Sequence, residues 1–163
     1  MTGPDAVTVR AAEPADVPAL AALVEEFARR GDVLARPSDA IRVTLHDWVV
    51  AVADEEIVGC AAIHRYGAGL GEVRTTIVRD AWQGRGLGRH LVAAIGALAA
   101  ARGIPTLFTL TRRAPFFERL GFTAVDKAAF PEKVWKDCRT CPLIDHCDEV
   151  ALQITVPALT GAA

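Results

Sequence analysis

The chain opens on a short alternation, Val7-Thr8-Val9-Arg10, whose apolar residues fall on one side of an extended segment and predict a strand. Glu13-Pro14-Ala15-Asp16 follows, with a proline and acids where the first turn of a helix accepts them. Val17, Leu20, Leu23, Val24 and Phe27 then recur at helical spacing until Gly31 stops the helix. A second, short helix is predicted over 38–46, capped by Ser38, with Ile41 and Leu45 facing inward. The period then drops to two. Residues 48–53 and 57–66 flank the polar Asp54-Glu55-Glu56 and read as an antiparallel hairpin, which a third strand over 72–78 extends after Gly67-Ala68-Gly69. Helical spacing returns at Leu91, Val92, Ile95 and Leu98 and ends at Gly103. Beyond it the pattern predicts a strand over 104–110, a short helix over 115–120, a strand over 122–125 and a closing strand over 149–156. There is no internal repeat and no long linker. The order predicts a mixed α/β sheet in a single domain spanning 1–163 with its core over about 7–157.

Composition narrows the classes of function. Of 163 residues, 52% are hydrophobic and 23% charged, which excludes disorder as the main state. A net charge of -2 supplies no broad positive field, so general binding to nucleic acid or to an anionic membrane is not expected. The polar start, Met1-Thr2-Gly3-Pro4-Asp5, has no basic-then-apolar order, and the apolar stretch 91–101 falls short of the ~20 residues of a membrane span. A cytoplasmic protein is expected, and with it reduced thiols or metal ligands at Cys60, Cys138, Cys141 and Cys147.

The segment from Val73 to His90 carries the most chemistry. A strand and a short loop lead into Gln83-Gly84-Arg85-Gly86-Leu87-Gly88-Arg89, which opens directly into a helix. Glycines hold no Cβ against a ligand, so peptide N–H groups at the helix start can close on phosphate oxygens. The helix dipole favours the same anion, and Arg85 and Arg89 can add to it. A Walker loop is excluded, because no Lys-Ser/Thr follows the glycines and the lysines are Lys127, Lys133 and Lys136. The dinucleotide fingerprint also fails, since glycines at 84, 86 and 88 place the third one residue early.

The remaining pattern, Gln-x-x-Gly-x-Gly in form, resembles the pyrophosphate-binding motif of the GNAT family of N-acetyltransferases, whose ligand is acetyl-coenzyme A. Phe116-Phe117-Glu118-Arg119-Leu120-Gly121-Phe122 resembles that family's late signature. The resemblance covers nearly the whole chain and implies a central, mostly antiparallel sheet flanked by helices. It implies too that the main chain of Ile77 and Val78 holds the pantetheine arm, with the thioester near Thr76 and Ile77. It assigns the phosphates to Gln83, Gly84, Arg85, Gly86, Leu87, Gly88 and Arg89. Many relatives protonate the leaving thiolate with a tyrosine in the late helix. Phe117 stands at that position here, and the sole tyrosine is Tyr66.

Acetyl transfer to an amine requires loss of a proton from the ammonium. Glu72 resembles the acidic residue that serves through a water; the competing reading is a surface carboxylate paired with Arg74. His64 is a weaker candidate. Within the family, 32–38, 57–63, 71–74 and 107–111 are similar to the acetyltransferase domain of the N-acetylglutamate synthases, as is the double phenylalanine. That resemblance implies an amino-acid acceptor held by Leu34, Arg36, Arg74, Arg139 and the main chain of Cys60. Guanidinium forks suit carboxylates. It also allows a homodimer.

Cys138, Cys141 and Cys147 fall within ten residues, and Cys-x2-Cys is a zinc-knuckle spacing. The second pair such a site wants is absent, so zinc ligands, packed thiols and a redox-sensitive pair all stand open. The expectation is an acetyl-CoA-dependent acetyltransferase acting on the α-amino group of glutamate or a similar amino acid. The alternatives are another small amine or a protein N-terminus as acceptor, or a non-catalytic module that senses coenzyme A, metal or redox state.

Overall fold

The computed structural model describes residues 6–130 and 149–161. They form two compact units, one comprising residues up to His64 with Val73–Leu98, the other Arg65–Glu72 with the residues from Ala99 onward.

The first unit carries β1 (Thr8–Ala11), β2 (Trp48–Ala53), most of β3 (Glu56–Tyr66) and the second half of β4 (Leu70–Val78). β1 pairs antiparallel with β2, and β2 with β3. The β2–β3 turn is only Asp54-Glu55, both at positive φ (49° and 66°), so Glu56 belongs to the strand and Ala53 faces it directly. Two residues at positive φ give the turn the twist that a two-residue hairpin needs.

Two helices pack on this sheet. A 3-10 turn at Pro14–Asp16 leads into α1 (Val17–Arg29), which buries Val17, Leu20, Leu23, Val24 and Phe27, the face predicted from spacing. With Ile41 of α2 (Ser38–Val43), Trp48, Val50, Ile57, Cys60 and Ile77, these residues make the core of the unit. The expected cap of α2 is corrected: Pro37 occupies the N-cap with an extended backbone, Ser38 is the first helical residue, and its side chain does not cap. The helix is also shorter than predicted, and a separate 3-10 turn, Leu45–Asp47, delivers the chain to β2.

In the second unit β4 pairs parallel with β5 (Thr106–Thr111), β5 antiparallel with β7 (Val150–Thr155), and β7 antiparallel with β6 (Thr123–Val125). The strand order across the seven is β1-β2-β3-β4-β5-β7-β6. Tyr66, Phe108, Phe130 and Ala151 form its aromatic core, with Phe108 stacked on Phe130 at 4.2 Å between centroids. α4 (Ala114–Arg119) precedes β6. The closing strand stops at Thr155, one residue earlier than predicted, because Val156 starts a final helix, α5 (Val156–Thr160), with proline in its first turn and Gly161 at positive φ behind it.

α3 (Leu87–Ala101) follows β4 and buries Leu87, Leu91, Val92, Ile95 and Ala99. Among the described residues, no helix is long and apolar enough to cross a membrane.

Candidate active site

β4 is built on alternation with one break. Thr75, in the middle of the strand, has φ 54°. A β-branched residue in the left-handed region is a true outlier, so the surroundings must hold it there. They do so from β3. The Cys60 thiol, fully buried, donates to the Thr75 carbonyl oxygen at 3.4 Å. Beside it, Gly59 leaves room that a side chain would fill, since a Cβ there would lie 2.8 Å from the Ile77 carbonyl oxygen. Burial pushes the Cys60 thiol well above its usual range, with the Ile77 peptide N–H pulling weakly the other way. At any ordinary pH it therefore remains a neutral S–H donor.

Glu72 and Arg74 lie two residues apart on β4 and so share a strand face. Glu72 is only 1% exposed, which removes the reading of it as a surface carboxylate; Arg74 is half-buried. The ladder from β4 to β5 runs from Leu70↔Thr106 to Glu72↔Phe108, and β4 continues to Val78. Thr76, half-buried, has a buried hydroxyl oxygen with no hydrogen-bond partner among the described residues. Val78 and Gln83 are joined, the Gln83 amide donating to the Val78 carbonyl at 3.0 Å. The Arg79 N–H donates to the Val58 carbonyl at 2.9 Å and its guanidinium to Glu26 at 2.9 Å, which fastens the end of β4 to β3 and α1.

The loop after β4 makes a 3-10 turn, Asp80–Trp82, and then uses Gly84 (φ 77°) and Gly86 (φ 79°) to swing into α3. Neither glycine would meet an atom with an added Cβ, so left-handed backbone, and not lack of space inside the protein, requires them. The first intrahelical bond is His90 N–H to the Gly86 carbonyl, at 3.3 Å. The N–H groups of Leu87, Gly88 and Arg89 thus precede any possible helical acceptor, as at every helix start. Gln83, Gly84, Arg85, Gly86 and Arg89 are exposed around them, and the Arg85 guanidinium rests over the Trp82 ring at 4.8 Å. A helix dipole, open amides and two cations in one place can take an anion.

Leu34 and Arg36 are both half-buried in the loop between α1 and α2, which Val33 anchors against the cluster containing Cys60 and Ile77. Phe117 is buried, edge-on to Phe116 (4.9 Å) and Phe122 (5.2 Å). Arg139, Cys138, Cys141 and Cys147 lie outside the described residues; among the described residues no cluster of His, Cys, Asp and Glu could hold a metal ion. Sequence reasoning missed Gly59, Thr75 and the side-chain contact of Cys60. A glycine inside a strand was the one available signal.

The acetyltransferase (GNAT) domain model matches residues 44–124. An uncharacterized N-acetyltransferase of Chlorobaculum tepidum is 35% identical over 148 residues, 91% of this chain and 96% of that protein. The chain is a member of the GNAT family. An amino-acid acetyltransferase of Mycobacterium tuberculosis is 34% identical over 81% of this chain and 78% of its own length. The N-acetylglutamate synthase of Neisseria gonorrhoeae, in complex with coenzyme A and N-acetyl-glutamate, superposes with a TM-score of 0.81 at 27% identity. That match covers 93% of this chain but 35% of the gonococcal one, so the chain spans about a third of that enzyme. As a GNAT protein it is an acetyltransferase.

Proposed function

We propose that this chain, as a single acetyltransferase domain, moves the acetyl group of acetyl-CoA to the α-amino group of an amino acid, with L-glutamate as acceptor. That is the N-acetylglutamate synthase reaction, the first step of arginine biosynthesis. The observation that carries the reading is the placement of buried Glu72 and half-buried Arg74 on one face of β4. A carboxylate that can accept a proton stands two residues from a guanidinium that can hold a carboxylate. Half-buried Arg36 offers a second such fork, and the relationship to amino-acid acetyltransferases supports the substrate class.

In this mechanism the open amides of α3 and the Arg85 and Arg89 side chains bind the phosphates, while the main chain of Ile77 and Val78 pairs with the pantetheine arm as an added strand. Arg36 and Arg74, with the Leu34 and Cys60 main chain, orient the amino acid. Glu72 takes a proton from its ammonium through a water, and the neutral nitrogen attacks the thioester carbonyl. Strand N–H groups stabilise the developing oxyanion. The C–N bond forms, the C–S bond breaks and the coenzyme A thiol leaves as its anion, for which the buried Phe117 supplies no acid; the second proton of the attacking nitrogen passes to solvent water as the amide forms.

The test is thiol release from acetyl-CoA across a panel of amino acids, small amines and N-terminal peptides. Glutamate should give the highest kcat/KM. Arg36→Ala should raise KM for glutamate by about tenfold or more while moving KM for acetyl-CoA far less. Preference for an uncharged amine, or equal effects of Arg36→Ala on the two constants, would exclude the glutamate reading.

A further inference from the structure

The left-handed φ of Thr75 is unfavourable for a β-branched residue and persists only where contacts compel it. Two contacts converge on that break. Cys60 donates its thiol proton to the Thr75 carbonyl at 3.4 Å. Gly59, lacking a Cβ, lets the Ile77 carbonyl settle onto β3. The segment so gripped, Thr75-Thr76-Ile77, includes a buried hydroxyl with no hydrogen-bond partner among the described residues, that of Thr76.

We infer that the Cys60 side chain is a positioning residue for acetyl transfer: its S–H···O bond to Thr75 locks the break in β4 and thereby aims the Thr76 hydroxyl and the Ile77 and Val78 peptides at the acyl donor. The inference rests on the proposed function for its substrate and goes beyond it in giving the thiol a task distinct from that of the Cys60 main chain. Removing the donor takes the Cys60 bond from the Thr75 carbonyl, and the strand relaxes toward the ordinary extended conformation that threonine prefers. The transition state, which needs fixed N–H directions, suffers more than ground-state binding.

The experiment compares Cys60→Ala, Cys60→Val and Cys60→Ser in the full chain. Alanine removes donor and volume, valine restores volume without a donor, and serine restores a donor. Cys60→Ala and Cys60→Val should both lower kcat by about tenfold with KM for acetyl-CoA changing less than about threefold, and Cys60→Ser should recover most of the loss. Amide hydrogen exchange across 73–79 should quicken in the alanine and valine variants and slow again in serine, with β6 and β7 unchanged. Equal kcat in all variants, or a loss in alanine that valine repairs and serine does not, would show packing alone and overturn the inference. If no acceptor turns over, the functional reading fails on its own, and exchange still decides whether Cys60 grips Thr75. Unchanged exchange in both donor-less variants overturns the grip.

Discussion

Gly59 and Ile77 approach so closely that a Cβ on the glycine would lie 2.8 Å from the Ile77 carbonyl oxygen and 3.2 Å from a Leu91 methyl. The first of these neighbours is backbone and cannot swing aside, so Gly59→Ala must push β4 away from β3 at its break. Overpacking of this kind costs about 1–3 kcal/mol. Thermal unfolding should show a Tm lower by several degrees. Because Ile77 is assigned to the pantetheine arm, titration with coenzyme A should show weaker binding as well. Wild-type Tm and affinity in Gly59→Ala would mean the strands separate without cost.

Arg10 grips Asp16 through hydrogen bonds of 2.7 and 3.0 Å, and the Glu13 N–H donates to the same carboxylate at 2.7 Å. The Arg10 bonds hold the Asp16 carboxyl below its ordinary value of 3.8, outweighing its partial burial. A depressed folded value stabilises the protein when the pH is above 3.8, and that contribution fades as the pH falls through 3.8 toward the folded value. Both side chains keep some exposure, which screens the pair to about 1 kcal/mol. Asp16→Asn should therefore lower Tm by roughly 2–4 °C at neutral pH, and the difference should shrink in acid. A difference that stays constant with pH would assign the effect to hydrogen-bond geometry alone.

The succession of elements and the turn into α3 were legible because their signals are local, whereas the insertion of β7 between β5 and β6 is a long-range pairing that no local signal states. Period-two runs, a period-3.6 run and glycines at 84 and 86 each state a backbone conformation by themselves. The α5 helix was not, because buried Val156 continues the apolar alternation of β7 until Pro157 turns it. Ser38 looked like a cap by residue type, yet Pro37 fixes the extended backbone one position earlier. The break at Thr75 has no local signal at all, since threonine favours strands and only Cys60 and Gly59, fifteen or more residues away, account for it. For the same reason the candidate base was legible by residue but not by environment: burial decides between a proton acceptor and a surface charge.

Phe117 stands in a cluster of three aromatic rings, edge-on to Phe116 and Phe122, and its peptide carbonyl accepts from the Phe122 N–H at 3.1 Å. Its role is to pack α4 onto the chain entering β6. Phe117→Leu should lower stability by about 1–2 kcal/mol, the loss of two aromatic contacts and some volume. Because no acid is assigned to this position, kcat should stay within about threefold of wild type between pH 7 and 9. A tenfold fall in kcat with Tm preserved would place the ring in the chemistry.

The buried carboxyl of Glu72 offers the sharpest test of the proton step. Glu72→Gln keeps the shape and part of the hydrogen bonding but cannot accept a proton from the acceptor ammonium through water. General-base catalysis contributes about 100-fold or more, so kcat at neutral pH should fall by that order, while KM for acetyl-CoA, which the proposal assigns to β4 amides and the start of α3, changes less than about threefold. Raising the pH toward the range in which the acceptor amine is itself neutral supplies the deprotonated nucleophile without help. The gap between Glu72→Gln and wild type should then narrow steadily. A gap that is large but flat across pH would make Glu72 a structural anchor for Arg74 and the strand face, and the base would have to be sought on another element, with His64 of β3 the first residue to replace.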